Sequence, residues 1–259
     1  GPEYFQTRGF HPAYLEPADA IAALAAAWPE GYATQQVSQV HFYGSGCLKE
    51  FGSKKMRSIL VGIFPEAEVI VKSDLEGAAV STLGNSEGIA AVLGTGASAA
   101  LWNGEALKKV SPSLGYLLGD EGSGADLGKI LLRDFFYGKV PDEIGIAFNA
   151  RYPSNPSVII AQLHTTTQPS ALLGEFAKLL LEYHEHPYVR QMVGQRFEAF
   201  IENQIGPLQP AKHGLIGLNG SVASGFSTLL TAMLQTTGFK EIRIKSDPLP
   251  SLVEWHTQG

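Results

Sequence analysis

The sequence contains little that would serve as a covalent or metal staple. Cys47 is the only cysteine in 259 residues, which excludes a disulfide framework and any metal or iron–sulfur site built from several cysteines of this chain. Charged residues make up only 17%, and the net charge is −6. A mildly acidic chain without basic runs argues against a nucleic-acid surface. Because a single cysteine is typical of a reducing compartment, we expect a cytoplasmic protein.

Long hydrophobic runs are also missing. The longest charge-free stretch, residues 88–104, is interrupted by glycine, threonine, serine and asparagine, so it is a poor membrane span, and no secretory signal pattern is visible. We therefore expect no membrane partner. Glycine, in contrast, is abundant at 29 residues. Many glycines with few charges indicate tight turns and backbone that approaches a ligand closely.

The apolar patterning predicts helices alternating with strands. Helices are predicted at 17–28, 49–64, 75–83, 130–137, much of 172–204 and 222–234, and strands at 37–43, 67–72, 88–93, 98–102, 105–110, 214–218 and 241–244. The order before residue 84 implies a parallel or mixed sheet with helices packed on it. Residues 88–110 change to strand, turn, strand, turn, strand, and the glycine-rich residues 111–128 are predicted to be mostly loop.

Three glycine turns that follow short apolar strands are candidates for anion binding. They lie at Gly94, Gly119 and Gly220, and turns of this kind bring backbone N–H groups close to an anion. Residues 94–99 also fit G-x-G-x-x-A, the dinucleotide fingerprint. That motif needs a long helix directly after it, whereas Asn103-Gly104 predicts a hairpin turn. Residues 94–99 therefore fit a phosphate-binding hairpin better than the dinucleotide-binding turn of a nicotinamide oxidoreductase.

Carboxylates at two of these places are candidates for chemistry. Asp74 follows a predicted strand and opens a helix, so it is either an N-cap or a general base at the carboxyl end of a strand, where ligand crevices form. Asp120 and Glu121 lie in a glycine loop. They are either solvated loop charges or contacts to the hydroxyl groups of a polar ligand. None of the seven histidines forms an H-E-x-x-H metal motif.

Taken together, these segments resemble the N-acetylglucosamine kinase family. This is the sugar-kinase branch of the actin/Hsp70/hexokinase-like ATPase superfamily, which also contains activator ATPases of the benzoyl-CoA reductase type. The resemblance spans nearly the whole chain and rests on residues 93–96 (LGTG), 113–124 (SLGYLLGDEGSG), 220–223 (GSVA) and 248–256. It implies an α/β fold with two ribonuclease-H-like lobes, residues 1–90 and 91–259, and a cleft in which ATP and sugar meet.

The resemblance also implies roles for individual residues. Asp74 matches the general base that takes the proton from the sugar hydroxyl. The residues that match ATP contacts are Gly94, Thr95, Gly96, Gly220 and Ser221. The residues that match the sugar pocket are His11, Thr95, Ser98 and Asp120.

The chain departs from the family pattern at three places. The phosphate loop of D-G/S-G-x-T-K-T type that opens the family pattern has no counterpart before Tyr4, so this loop and its Mg²⁺-linked aspartate are assigned to no residue. His11 stands where a sugar-contacting asparagine is common, and Ala97-Ser98 stands where Ser-Asn is common. The last two differences change the hydrogen-bonding groups of the sugar pocket.

The sequence thus predicts an ATP- and Mg²⁺-dependent kinase that phosphorylates an amino sugar, with N-acetylglucosamine as the first choice and a homodimer left open. One alternative is a non-catalytic sugar- or nucleotide-binding regulator of the same fold, although the retained Asp74 argues against it. Another is an activator-type ATPase. Its subunit-bridging iron–sulfur cluster would require two cysteines from each chain, and this chain has one.

Overall fold

The computed structural model describes residues 3–7, 9–30, 33–209 and 214–257. The chain divides into two compact units, residues 1–77 with 250–259 and residues 78–249. The expected lobes were 1–90 and 91–259. The boundary observed after residue 77 lies inside helix α3 (Asp74–Leu83). The C-terminal residues 250–259 belong to the first unit.

The first unit is built around two parallel strands, β1 (Gln39–Gly44) and β2 (Glu68–Ser73). Gln39 lies opposite Glu68, and Gly44 lies opposite Ser73. Parallel neighbours need a crossover connection, and helix α2 (Glu50–Ile63) supplies it. Its apolar positions recur at helical spacing, so one face is buried in the core of this unit: Met56, Ile59 and Leu60.

Two further helices complete this unit. Helix α1 (Pro17–Ala27) begins with proline, whose missing N–H is tolerated at the first helical position. The C-terminal helix of the chain, α12 (Leu249–Thr257), is attached through His256. The His256 ring stacks on His41 with centroids 3.7 Å apart, and Tyr43 Oη lies 2.9 Å from His256 Nε2.

The second unit contains a five-stranded mixed sheet in the order β5-β4-β3-β6-β7. Its strands are β3 (Gly88–Leu93), β4 (Ala97–Trp102), β5 (Leu107–Val110), β6 (Leu215–Asn219) and β7 (Glu241–Lys245). The first three strands form an antiparallel meander, as predicted. Strand β6 pairs parallel with β3 on one side and with β7 on the other.

Helices surround this sheet. They are α4 (Gly115–Leu118), α5 (Gly124–Phe136), α6 (Asp142–Arg151), α7 (Pro156–Thr165), α8 (Pro169–Glu182), α9 (Pro187–Phe200), α10 (Ser221–Gly225) and α11 (Ser227–Thr236). Helices α7, α8 and α9 begin with proline. Within the described ranges, no helix is both long enough and apolar enough to cross a bilayer.

Several predicted elements need correction. Residues 111–128 are not mostly loop, because α4 lies within them and α5 begins at Gly124, where Ser123 Oγ accepts a hydrogen bond from Asp126 N. That N-cap starts the helix despite the local glycine content. The predicted helix 222–234 is two helices, separated at Phe226 by a non-helical backbone conformation. Asn219 ends β6 instead of opening a turn, and α6, α7 and α12 were not predicted.

The core of the second unit depends on close packing of α5 against α8. Gly128 of α5 lies so near the Leu173 carbonyl oxygen of α8 that a Cβ at Gly128 would overlap it. Leu127, Leu131 and Phe176 fill the interface around this approach. Since a backbone carbonyl cannot move as a flexible side chain can, the interhelical distance requires glycine at this position.

We predict that Gly128→Ala destabilises the fold by about 1–3 kcal/mol through overpacking. Gly145→Ala is the matched control, because Gly145 is also helical but a Cβ there meets no atom within 4 Å. It should be neutral or stabilising by up to about 1 kcal/mol, since alanine is the better helix former. Urea unfolding of both variants measures the difference, and equal stabilities would contradict the packing argument.

Candidate active site

The hydrogen bonds at the start of helix α3 show that Asp74 is not the N-cap residue of this helix. Ser73 is the N-cap: its Oγ accepts from Glu76 N at 3.2 Å, and its own N–H donates to Glu76 Oε2 at 2.9 Å. This reciprocal pair is a capping box. Asp74 is the next residue and the first of the helix, and its Oδ1 accepts from Leu75 N at 2.9 Å. The structure therefore assigns the cap to Ser73, so Asp74 is not required for it.

Asp74 is a carboxylate with increased basicity. Burial raises its pKa above the usual aspartate range, against the opposing effect of the hydrogen bond from Leu75 and of nearby His11. A raised pKa makes a carboxylate a better proton acceptor near neutral pH. This is the property that a general base needs.

His11 lies within electrostatic reach of Asp74 in the first unit. Burial lowers the pKa of His11, and the negative charge of Asp74 partly opposes that shift. His11 Nδ1 accepts a hydrogen bond from Ala13 N at 3.2 Å. In the neutral ring the proton is therefore assigned to Nε2, which then serves as a hydrogen-bond donor. The structure thus brings together two of the predicted site residues, His11 and Asp74.

Asp120 is held in the second unit in an uncommon backbone conformation. Its φ is +57°, in the left-handed region that only aspartate, asparagine and glycine adopt at all readily. Only 9% of the residue is exposed, and burial raises its pKa. The Ala97 N–H donates to the carboxylate and opposes that rise. An ideal Cβ at Gly96 would lie 3.2 Å from Asp120 Oδ2, so Gly96 borders the carboxylate directly.

Two of the predicted glycine turns meet in the second unit. Val92 pairs with Asn219 near the ends of β3 and β6, so the turns that follow these strands emerge side by side. Gly220 has φ +133°, and a Cβ there would overlap the Leu93 carbonyl and lie 2.8 Å from Gly94 N. Backbone therefore packs on backbone between the two turns. Only glycine fits at this position.

A cavity of about 120 Å³ opens beside these turns. Three of the predicted nucleotide-binding residues line it: Gly94, Thr95 and Ser221. Gly96 and Gly220 are not part of its wall, although each borders a residue of the site. Ser98 lies in β4 opposite Val92, directly after the residue that donates to Asp120.

The rest of the cavity wall was missed by the sequence analysis. It comes from α5 and α8 and from the helices after β6, and it includes Gly124, Gly174, Lys178, Val222 and Phe226. Gly174 was the one visible signal, because glycine inside a helix is unfavourable unless packing needs it. Here a Cβ at Gly174 would touch Thr95 at 3.6 Å.

An ion pair braces the loop that carries Asp120. Arg196 Nε lies 2.6 Å from Asp126 Oδ2, and the same oxygen accepts from Gly122 N at 3.0 Å. Asp126 is nearly buried, with 3% exposure. Removing either partner of such a pair would leave an uncompensated charge. Among the described residues, no group of three or more histidine, cysteine, aspartate or glutamate side chains could hold a metal ion.

Comparison with known proteins shows the fold of this chain. No protein-family profile matches the sequence, and no curated protein matches it. Solved structures do match. The chain has the actin/hexokinase-like ATPase fold of the sugar kinases, and the family resemblance and fold class expected from the sequence are thereby confirmed.

The similar structures include two bacterial proteins described as candidate N-acetylglucosamine kinases. The one from Porphyromonas gingivalis is 28% identical, with a TM-score of 0.89 over 98% of this chain and 90% of its own. The one from Chromobacterium violaceum is 16% identical, with a TM-score of 0.55 over 92% and 82%. A ROK-family glucokinase from Streptomyces griseus, solved with glucose and AMPPNP, is 14% identical with a TM-score of 0.50 over 88% and 81%.

We predict that Asp74→Asn raises the melting temperature at neutral pH. The folded-state pKa of Asp74 lies above its unfolded value of about 3.9, so ionisation costs folding free energy above the folded-state pKa. The neutral amide avoids that cost. The gain should shrink as pH falls through the folded-state pKa and vanish below about pH 4, where wild type is protonated in both states. Thermal melts from pH 4 to 8 test this, and a loss of stability at pH 8 would contradict it.

Proposed function

We propose that this chain is an ATP-dependent kinase that transfers a phosphoryl group to a hydroxyl of an amino sugar, with N-acetylglucosamine as the first candidate substrate. The observation that carries the proposal is the cavity beside the glycine turns, whose wall contains Gly94, Thr95 and Ser221. The family resemblance of the sequence implies that these three residues contact the nucleotide. The similar structures described as sugar kinases support the same reaction class.

The nucleotide side of the reaction needs hydrogen-bond donors around phosphates. The Gly94 and Gly220 turns supply backbone close to the cavity without side chains in the way. Helix α10 begins at Ser221, so the backbone N–H groups of its first turn have no partner within the helix. Phosphoryl transfer depends mainly on such positioning and on charge neutralisation, not on covalent chemistry by the protein.

Asp74 is proposed as the general base. It would accept the proton from the sugar hydroxyl while the hydroxyl oxygen attacks the γ-phosphorus and ADP leaves. Burial raises its pKa, which increases its strength as a proton acceptor. His11, with its donor at Nε2, is proposed to bind an acceptor oxygen of the sugar.

Asp120 is proposed to hold sugar hydroxyls, with Thr95 and Ser98 in the same pocket. A carboxylate can accept two charge-assisted hydrogen bonds in a fixed geometry. The unusual φ of Asp120 and the Ala97 N–H fix its direction. Strain of this kind is retained at sites where a side chain must point to one place.

The proposal includes Mg²⁺ as the partner of the nucleotide. Magnesium in kinases is held by one or two carboxylates and the substrate phosphates, without a full protein cage. No residue of this chain is assigned to the ion. A cytoplasmic location, a small-molecule sugar as the partner and a homodimer remain expectations.

The test of the function is an ADP-release assay with ATP, Mg²⁺ and a panel of N-acetylglucosamine, glucosamine, N-acetylmannosamine, N-acetylmuramic acid and glucose. Asp74→Asn should lower kcat on the best sugar by about 10²–10⁴-fold, because an amide cannot accept the proton. Its affinity for ATP, measured by calorimetry, should stay within about twofold of wild type. The matched control is Asp142→Asn, which removes an exposed carboxylate from the first turn of α6 and should leave all constants unchanged.

One outcome would contradict the kinase activity, and another would contradict the role of Asp74. If wild type released no ADP above background with any sugar of the panel, the kinase proposal would fail. If Asp74→Asn kept wild-type turnover, the chain could still be a kinase, but Asp74 would not be its base.

A separate prediction concerns Asp120. Asp120→Asn should raise the sugar KM and lower kcat/KM by about 10²-fold, with little change in the ATP KM, because the charge that orients the hydroxyls is lost. Asparagine is the sharper probe than alanine, since it tolerates the left-handed φ of +57°. A loss confined to ATP would place Asp120 outside the sugar pocket.

A further inference from the structure

The C-terminal end of helix α3 is anchored by side chains of strand β7. The last carbonyls of a helix have no partner within it. Here Lys245 Nζ donates to Ser81 O at 2.7 Å, and an Arg243 side-chain N–H donates to Thr82 O at 2.9 Å. Cations at this end of a helix also interact favourably with its dipole. The contacts attach the end of α3 to the edge strand of the sheet.

A third contact reaches the same serine from strand β6. Asn219 Nδ2 donates to Ser81 Oγ at 2.8 Å, and Ser81 Oγ donates in turn to Ala78 O at 3.2 Å. Asn219 and Ser81 are 5% and 6% exposed, so the bond is buried. The other amide atom, Asn219 Oδ1, has no hydrogen-bond partner among the described residues.

That unpaired oxygen shows what the asparagine contributes. The other residues of β6, 215–218, are Leu-Ile-Gly-Leu and are buried, so an apolar side chain would fit this environment at lower cost. A buried acceptor without a partner carries a desolvation penalty. The hydrogen bond from Asn219 Nδ2 to Ser81 Oγ offsets this penalty. The asparagine side chain therefore points to a role in positioning.

The side-chain hydrogen bonds to Ser81 come from residues that surround the Gly220 turn. Asn219 and Lys245 are register partners across β6 and β7, and Gly220 N donates to Lys245 O at 3.1 Å. Asn219, which precedes Gly220, and Lys245, which binds its N–H group, therefore both donate a side-chain hydrogen bond to Ser81. Because a Cβ at Gly220 would already overlap neighbouring backbone, a small displacement of the β6 end would press the turn against Gly94 or open a gap beside it.

We propose that Ser81 and Asn219 form a positioning pair that holds the Gly220 turn against the Gly94 turn and so sets the shape of the nucleotide cavity. The proposal deepens the proposed function and rests on it for the identity of the ligand. Neither side chain lines the cavity. They act through the backbone of the turn.

The test compares Ser81→Ala and Asn219→Ala, singly and together, with Thr82→Val as control. Thr82 is the adjacent buried residue, and its hydroxyl donates only within α3, to Ala78 O at 2.6 Å. In calorimetry with AMPPNP, each alanine variant should lose about 10-fold in affinity, and the double variant should lose little more, because both single changes remove the same bond between Asn219 and Ser81. The sugar KM should change by less than about twofold, and Thr82→Val should bind AMPPNP as wild type does.

Hydrogen exchange on the ligand-free chain separates this proposal from the kinase proposal. In both alanine variants, exchange at the hydrogen-bonded amides of Gly220 and Ser224 should accelerate about 10-fold relative to strand β3, with Thr82→Val unchanged. Faster exchange with no AMPPNP binding in wild type would support the positioning pair while the kinase proposal fails. Unchanged exchange at the turn, or a uniform increase over the whole second unit, would overturn the positioning role.

Discussion

The parallel pairing of β3 with β6 is the constraint on which the cavity beside the glycine turns depends. It brings Val92 opposite Asn219, so the turns after the two strands leave the sheet at the same edge. Ligand crevices form at this carboxyl edge in open α/β sheets. The pairing also requires glycine at position 220, where the chain passes over the backbone of Leu93 and Gly94. The Gly94 and Gly220 turns, which look like separate signals along the chain, are thus parts of one arrangement.

The sequence predicted much of this arrangement because periodicity and glycine placement are local signals. The meander of β3, β4 and β5 and the helical stretches around residues 172–204 follow from apolar spacing and were found to within a few residues. The start of α5 was missed because its glycines outweighed Ser123, whose side chain caps the helix. The pattern Ser-x-x-Asp at 123–126 was the signal that could have located it.

The parts that could not be predicted depend on contacts between distant segments. The cavity wall formed by α8, including Gly174 and Lys178, depends on where that helix packs, and its periodicity shows only that it is helical. The bond between Asn219 and Ser81 joins residues 138 positions apart. In the sequence Asn219 reads as a turn former, since asparagine before glycine usually marks a turn. Its burial in a strand overrides that preference because the sheet register fixes its side.

Two carboxylates, Asp74 of the first unit and Asp120 of the second, show how one residue type can suit two different uses. Burial raises the pKa of both Asp74 and Asp120, but their hydrogen bonds differ. Asp120 has a left-handed φ and accepts from Ala97, so it is fixed in direction and suited to orienting hydroxyl groups.

Asp74 begins a helix whose capping is done by its neighbours. Ser73 and Glu76 satisfy each other's backbone N–H groups, as the Ser-x-x-Glu pattern at 73–76 allows. If Asp74 were the cap, protonating it would cost helix stability in every catalytic cycle. Because Ser73 carries that role, the charge of Asp74 can change while the capping bonds that start the helix remain in place. This separation of capping from proton transfer is what the proposed role of Asp74 as a general base requires.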